Sequence, residues 1–99
     1  MQLPEGWIQL SGDLATKLEA ELRREMPAGH QLYGRAVRAI ARRADRDDVL
    51  FKATQDKTVF WVHLTWSVER DAKWPWTRDY KDHDDFLERW PQEELDDSQ

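Results

Sequence analysis

The sequence predicts an α+β domain: an N-terminal amphipathic helix, a three-stranded antiparallel meander over about residues 35 to 66, and a short C-terminal helix. Three observations carry this. Residues 58 to 66, Thr-Val-Phe-Trp-Val-His-Leu-Thr-Trp, read as a strand that is apolar on both faces. Residues 11 to 27 repeat apolar side chains at helical spacing, and a smaller set does the same after Asp82.

In the first helix, Leu14, Ala15, Leu18, Leu22 and Met26 share one side, and Lys17, Glu21 and Arg24 lie opposite. Ser11 or Asp13 supplies the N-terminal cap, and Pro27 with Gly29 stops the helix.

The centre is a hairpin, with residues 49 to 54 returning as 58 to 66 through Gln55, Asp56 and Lys57. One face of the return strand carries Phe60, Val62, Leu64 and Trp66. The other carries Val59, Trp61, His63 and Thr65, so cover is needed front and back. A lone hairpin is marginal in water, and residues 35 to 43 are the nearest third strand. On a helical wheel this segment is also amphipathic, with Val37, Ile40, Ala41 and Ala44 opposite Arg35, Arg38, Arg42 and Arg46. The missing cap before Arg35 and the repulsion of arginines four apart favour the strand.

Trp74-Pro75-Trp76 is an extended element, since proline restricts its predecessor and has no N–H to donate. Asp82 or Asp84 caps a short helix that turns Phe86, Leu87 and Trp90 inward and ends at Pro91. Residues 1 to 91 then form the domain, and residues 92 to 99, acidic with one leucine, form a disordered tail. The string Asp79-Tyr80-Lys81-Asp82-His83-Asp84 resembles an epitope tag, but its place between Trp76 and Phe86 reads as native.

Ninety-nine residues suit one domain with a modest core. No cysteine is present, which excludes disulfides and thiol chemistry and suits a reducing cytoplasm. No leader pattern or membrane span is visible, so a cytoplasmic location is expected. The net charge of −5 argues against nucleic acid. It is unevenly spread, however: residues 71 to 99 carry −6, while Arg35, Arg38, Arg42, Arg43 and Arg46 crowd into twelve positions.

Candidate chemistry centres on His63. A turn centred near Asp56 sets Val49 across from it and Asp47 diagonally on the same face, a histidine oriented by a carboxylate as in general-base catalysis. The same pair satisfies a buried imidazole, and only Thr65 is at hand as a nucleophile, so a structural role is preferred. His63, Asp47, Asp48 and His83 are metal-binding types at spacings that fit no ligand pattern, and solvated turn carboxylates account for the acids; no metal or other cofactor is expected. Trp74 and Trp76, two of six tryptophans, form either a ridge that receives a peptide or a lid over the sheet. The arginine cluster with its aromatic neighbours also resembles a single-strand nucleic-acid surface, provided the five share one face.

The blocks Asp47-Asp48-Val49-Leu50-Phe51, Val62-His63-Leu64-Thr65-Trp66 and Trp74-Pro75-Trp76-Thr77, in this order, resemble a group of small uncharacterised bacterial α+β proteins without established activity. The resemblance covers roughly residues 30 to 90. It implies a stand-alone bacterial cytoplasmic domain with a sheet-forming element at residues 35 to 43, and it lends no catalytic residue.

The expected function is a non-enzymatic module that binds a protein or peptide through Trp74, Trp76 and the face of Arg35, Arg38 and Arg42. The alternatives are a small hydrolase or metal-dependent enzyme centred on His63 and Asp47, and nucleic-acid binding through the arginines. Apolar surface beyond the reach of one long helix calls for closure by the tryptophan segment or by a second copy of the chain.

Overall fold

Residues 58 to 66 do contain an inner strand. In the computed structural model, which describes the backbone of residues 1–97 and the side chains of residues 1–94, the chain runs β1 (Trp7–Gln9), α1 (Gly12–Glu25), β2 (Val37–Arg43), β3 (Asp48–Ala53), β4 (Val59–His63), β5 (Trp76–Tyr80) and α2 (His83–Asp97). The five strands form one antiparallel sheet in chain order, so β4 has a neighbour on each side. The α+β class and the presence of an N-terminal and a C-terminal helix are as expected. The meander, however, has five strands rather than three. With three residues, β1 is too short to show alternation, and β5 is half polar; only pairing with β2 and β4 reveals them.

Alternation along β4 divides the interior into two cores. Phe60 and Val62 join Val49, Phe51, Leu18 and Leu22 beneath α1. Val59 and Trp61 join Leu50, Tyr80, Phe86 and Trp90 beneath α2. Edge-to-face contacts of Trp7 with Phe86 (5.6 Å) and Trp90 (5.6 Å) and of Trp61 with Trp90 (6.0 Å) bind α2 to the sheet. The second face is thus covered by α2, and Trp76 of the tryptophan segment, one of the two covers the sequence pointed to, packs against the same core. Tyr80, inside the tag-like string, is fully buried in this core.

The conflict over residues 35 to 43 resolves as a strand with a bulge. Ala39 stands opposite Phe51 and Ala41 opposite Leu50, so Ile40 is an extra residue. Before the bulge Val37 and Ala39 face α1; after it Ala41 faces α2. This switch breaks the two-residue period and gives the segment its helical look.

Further corrections concern the helices. Leu14, placed on the apolar face of α1, is 43% exposed, whereas Glu25, three residues after Leu22, is fully buried. Ser11 stands at the N-cap without a side-chain hydrogen bond. Asp82 does cap α2, accepting the Asp85 N–H at 2.8 Å. Pro91 does not end α2, and the expected tail is helical from residue 92 to Asp97, residues 98 and 99 lying outside the described residues. Side chains beyond the proline anchor it. Tyr80 Oη donates to Glu93 at 2.7 Å, and the buried Arg43 donates to Glu94 at 2.6 Å while its guanidinium sits 5.1 Å from the Trp90 ring. These contacts offset the roughly 3 kcal/mol that an interior proline costs a helix. No described helix is long and apolar enough to cross a membrane.

Candidate functional site

The hairpin turn determines which acid meets His63. Ala53 N–H bonds to the Thr58 carbonyl, leaving residues 54 to 57 as a four-residue turn, and Asp56 closes it by accepting the Thr58 N–H at 2.8 Å. The sequence implied a three-residue turn. One more residue shifts the register by one, so Asp48, not Asp47 or Val49, lies opposite His63. Asp48 Oδ1 stands 2.6 Å from His63 Nδ1. Asp47 falls on the other face, and its carbonyl accepts the N–H of Leu64, just past the end of β4.

On the far side of His63, Trp76 is its partner on β5, so Asp48, His63 and Trp76 form one row across three strands. This row floors a cleft of about 320 Å³ at the end of the sheet, whose walls are Arg46, Trp61 and Trp74. Trp61 and Trp76 meet edge to face at 4.7 Å. Asp48 is 3% exposed, whereas the His63 side chain is 48% exposed. The imidazole is therefore held from behind and open in front.

Two polar anchors hold the loop from β4 to β5 that carries Trp74. In the first, His30 Nδ1 accepts the Leu32 N–H at 3.0 Å, so Nε2 bears the proton and donates to the Pro75 carbonyl at 2.7 Å, which also accepts the Thr77 hydroxyl at 3.0 Å. Pro75 is buried and Trp74 next to it is 42% exposed. In the second, Glu25 accepts the N–H groups of Thr65 and Trp66, both at 2.8 Å. Burial, and then a hydrogen bond with Glu21, push the Glu25 carboxyl up to about 7 against the lowering effect of those donors.

Chemically, a Nδ1–H given to Asp48 leaves Nε2 facing the cleft as an acceptor, or as a donor when the ring is charged. Among the described residues no serine, cysteine or threonine lines the cleft. Thr65 has left the face of His63, and its hydroxyl donates to Glu25 at 3.1 Å. His83 is elsewhere, at the start of α2 against the Gln2 carbonyl, and among the described residues no three acidic or histidine side chains converge on a metal position.

The arginines disperse. Arg35 pairs with Asp56 at 3.1 Å and stacks 5.0 Å from Phe60. Arg38 stands opposite Lys52 and Arg42 opposite Val49, on different faces because the bulge lies between them. Of the predicted binding residues, Trp74 and Trp76 come together with His63, whereas Arg35, Arg38 and Arg42 do not reach this cleft; Arg46 does. Sequence reading missed the roles of Glu25 and His30. Glu25 left a signal, since an acid three residues after Leu22 continues the buried stripe; His30 left none, as its partner lies 45 residues away. Comparison with protein families, curated proteins and solved structures finds no match to this chain.

Proposed function

We propose that this chain is a non-enzymatic binding module that receives a protruding apolar side chain of a protein or peptide partner in the cleft of Trp61, Trp74 and Trp76, with His63 Nε2 as the hydrogen-bonding group. The observation that carries this is Trp74, an indole left 42% exposed beside a backbone anchored by His30 and Thr77. Large rigid aromatics around a concave site supply contact area at low entropic cost, and a single directed polar group orients what enters. The test is titration of labelled short peptides bearing leucine, phenylalanine or tryptophan, followed by anisotropy and by perturbation of the Trp74 and Trp76 indole signals. Trp74→Ala should leave the fold intact and weaken binding at least tenfold. If no peptide shifts these signals, the proposal is wrong.

The Asp48–His63 pair favours a second reading, in which the imidazole is a general base. With no serine, cysteine or threonine lining the cleft among the described residues, the group it activates is water or a hydroxyl on the substrate. Turnover of simple esters or phosphoesters that disappears in both His63→Asn and Asp48→Ala would establish it. Turnover that persists in both variants would remove it.

A further inference from the structure

We infer that the partner segment is acidic: its apolar side chain enters the tryptophan cleft while a neighbouring carboxylate meets Arg46. This rests on the reading of the cleft as a peptide site and adds the charge of its occupant.

Five of the ten guanidinium groups, Arg78 among them, pair with a carboxylate among the described residues. Arg24 pairs with Glu21 at 2.7 Å, Arg35 with Asp56 at 3.1 Å, Arg43 with Glu94 at 2.6 Å, and Arg89 with Asp85 at 3.0 Å. Arg46 pairs with no carboxylate among the described residues, although Asp45 and Asp47 flank it in sequence and acids outnumber bases in the chain. Arg46 forms a wall of the tryptophan cleft. It also borders a second groove of about 230 Å³ on the opposite face of the sheet, where Leu14, Leu18 and Trp66 are apolar lining and Arg42 is a further cation. Arg42 donates to the Arg43 carbonyl at 3.3 Å and has no carboxylate partner among the described residues.

The acids near this end do not cancel these cations. Asp48 is sealed behind His63, and Asp45 lies 3.7 Å from Arg43. The second groove is lined by Asp47 and by the His63-paired Asp48, and among the described residues Asp47 is its carboxylate without a hydrogen-bond or ion-pair partner, set against Arg42 and Arg46. A ligand entering the first cleft therefore meets the Arg46 guanidinium, the His63 imidazole and the Trp74 and Trp76 indoles, while Trp61 and the His63-paired Asp48 carboxylate lie nearly buried beneath them. The net charge of −5 does not reverse this, because at physiological salt fields are screened over about 8 Å and the local guanidinium dominates. A cation beside an aromatic cleft complements an apolar residue flanked by aspartate or glutamate.

The experiment uses the full chain and three fluorescein-labelled peptides with blocked termini, each with a central phenylalanine flanked by aspartate, serine or lysine. Anisotropy should rank them acidic, neutral, basic. Arg46→Glu should weaken the acidic peptide about tenfold at low salt and reverse the ranking, with the gap closing as salt rises. Arg46 is exposed, so this variant should fold, and circular dichroism checks that it does. Equal binding of acidic and neutral peptides, still abolished by Trp74→Ala, would overturn the charge inference and leave the cleft reading standing. Binding of none of the three would overturn both.

Discussion

Glu25, in the last turn of α1, caps the backbone of Trp66: its Oε2 accepts the Trp66 N–H at 2.8 Å while Oε1 accepts the N–H and hydroxyl of Thr65. Trp66 has φ of 59°, a left-handed conformation that a bulky residue holds only where its surroundings enforce it. Glu25→Ala should strand two donors and cost about 2–3 kcal/mol in urea denaturation. Amide exchange at residues 65 and 66 should accelerate. Unchanged exchange there would show that the cap is dispensable.

The same carboxyl makes stability depend on pH. Its folded pKa, raised to about 7 by burial, exceeds the unfolded value of 4.5, so the folded state holds the proton more tightly. The stabilisation is complete below about pH 4.5 and disappears as pH rises through 7. Between pH 5 and 7.5 the wild type should lose on the order of 2 kcal/mol relative to Glu25→Gln, which cannot ionise. Parallel denaturation series on the two proteins check this; curves of identical pH dependence would refute it.

Asp48 should determine the tautomer of His63. With Oδ1 2.6 Å from Nδ1, the neutral ring carries its proton on Nδ1 and offers Nε2 to the cleft. Asp48→Leu should return the ring to the Nε2–H form preferred by free imidazole, and long-range nitrogen–proton correlation spectra distinguish the two. Binding at the cleft should change with it, because the outer nitrogen turns from acceptor to donor.

Arg43 and Glu94 should behave as a coupled pair. Arg43 is 7% exposed, and its Nε has no hydrogen-bond partner among the described residues, so Glu94 is its closest counter-charge. Glu94→Ala should cost about 2–4 kcal/mol by leaving a buried cation whose one other carboxylate partner among the described residues is Asp45 at 3.7 Å. Arg43→Met combined with Glu94→Leu should recover most of that loss. Additive losses in the double variant would show that the two side chains act independently.

Much of this fold is legible because its signals are local. The apolar stripe of α1 and the two-faced run from Val59 to Val62 need only neighbours a few residues away, and Asp82 caps α2 as its position foretells. The site is less legible. His63, Trp74 and Trp76 stand out as residue types, but whether His63 meets Asp47 or Asp48 depends on one residue in a glycine-free turn. The bulge at Ile40 disguises β2, and the helix beyond Pro91 looks like a tail until Glu93 and Glu94 find Tyr80 and Arg43.

By itself the sequence determined that a doubly apolar strand had to lie inside a sheet, and that two helices would follow from their spacing and caps. Periodicities of two and of three to four residues are properties of the chain alone. Tertiary structure decided the register that sets Asp48 behind His63, the bulge that parts Arg38 from Arg42, and the survival of α2 past its proline. Each of these balances a local preference of a few kcal/mol against contacts between residues far apart in the chain, and only folding brings those contacts into being.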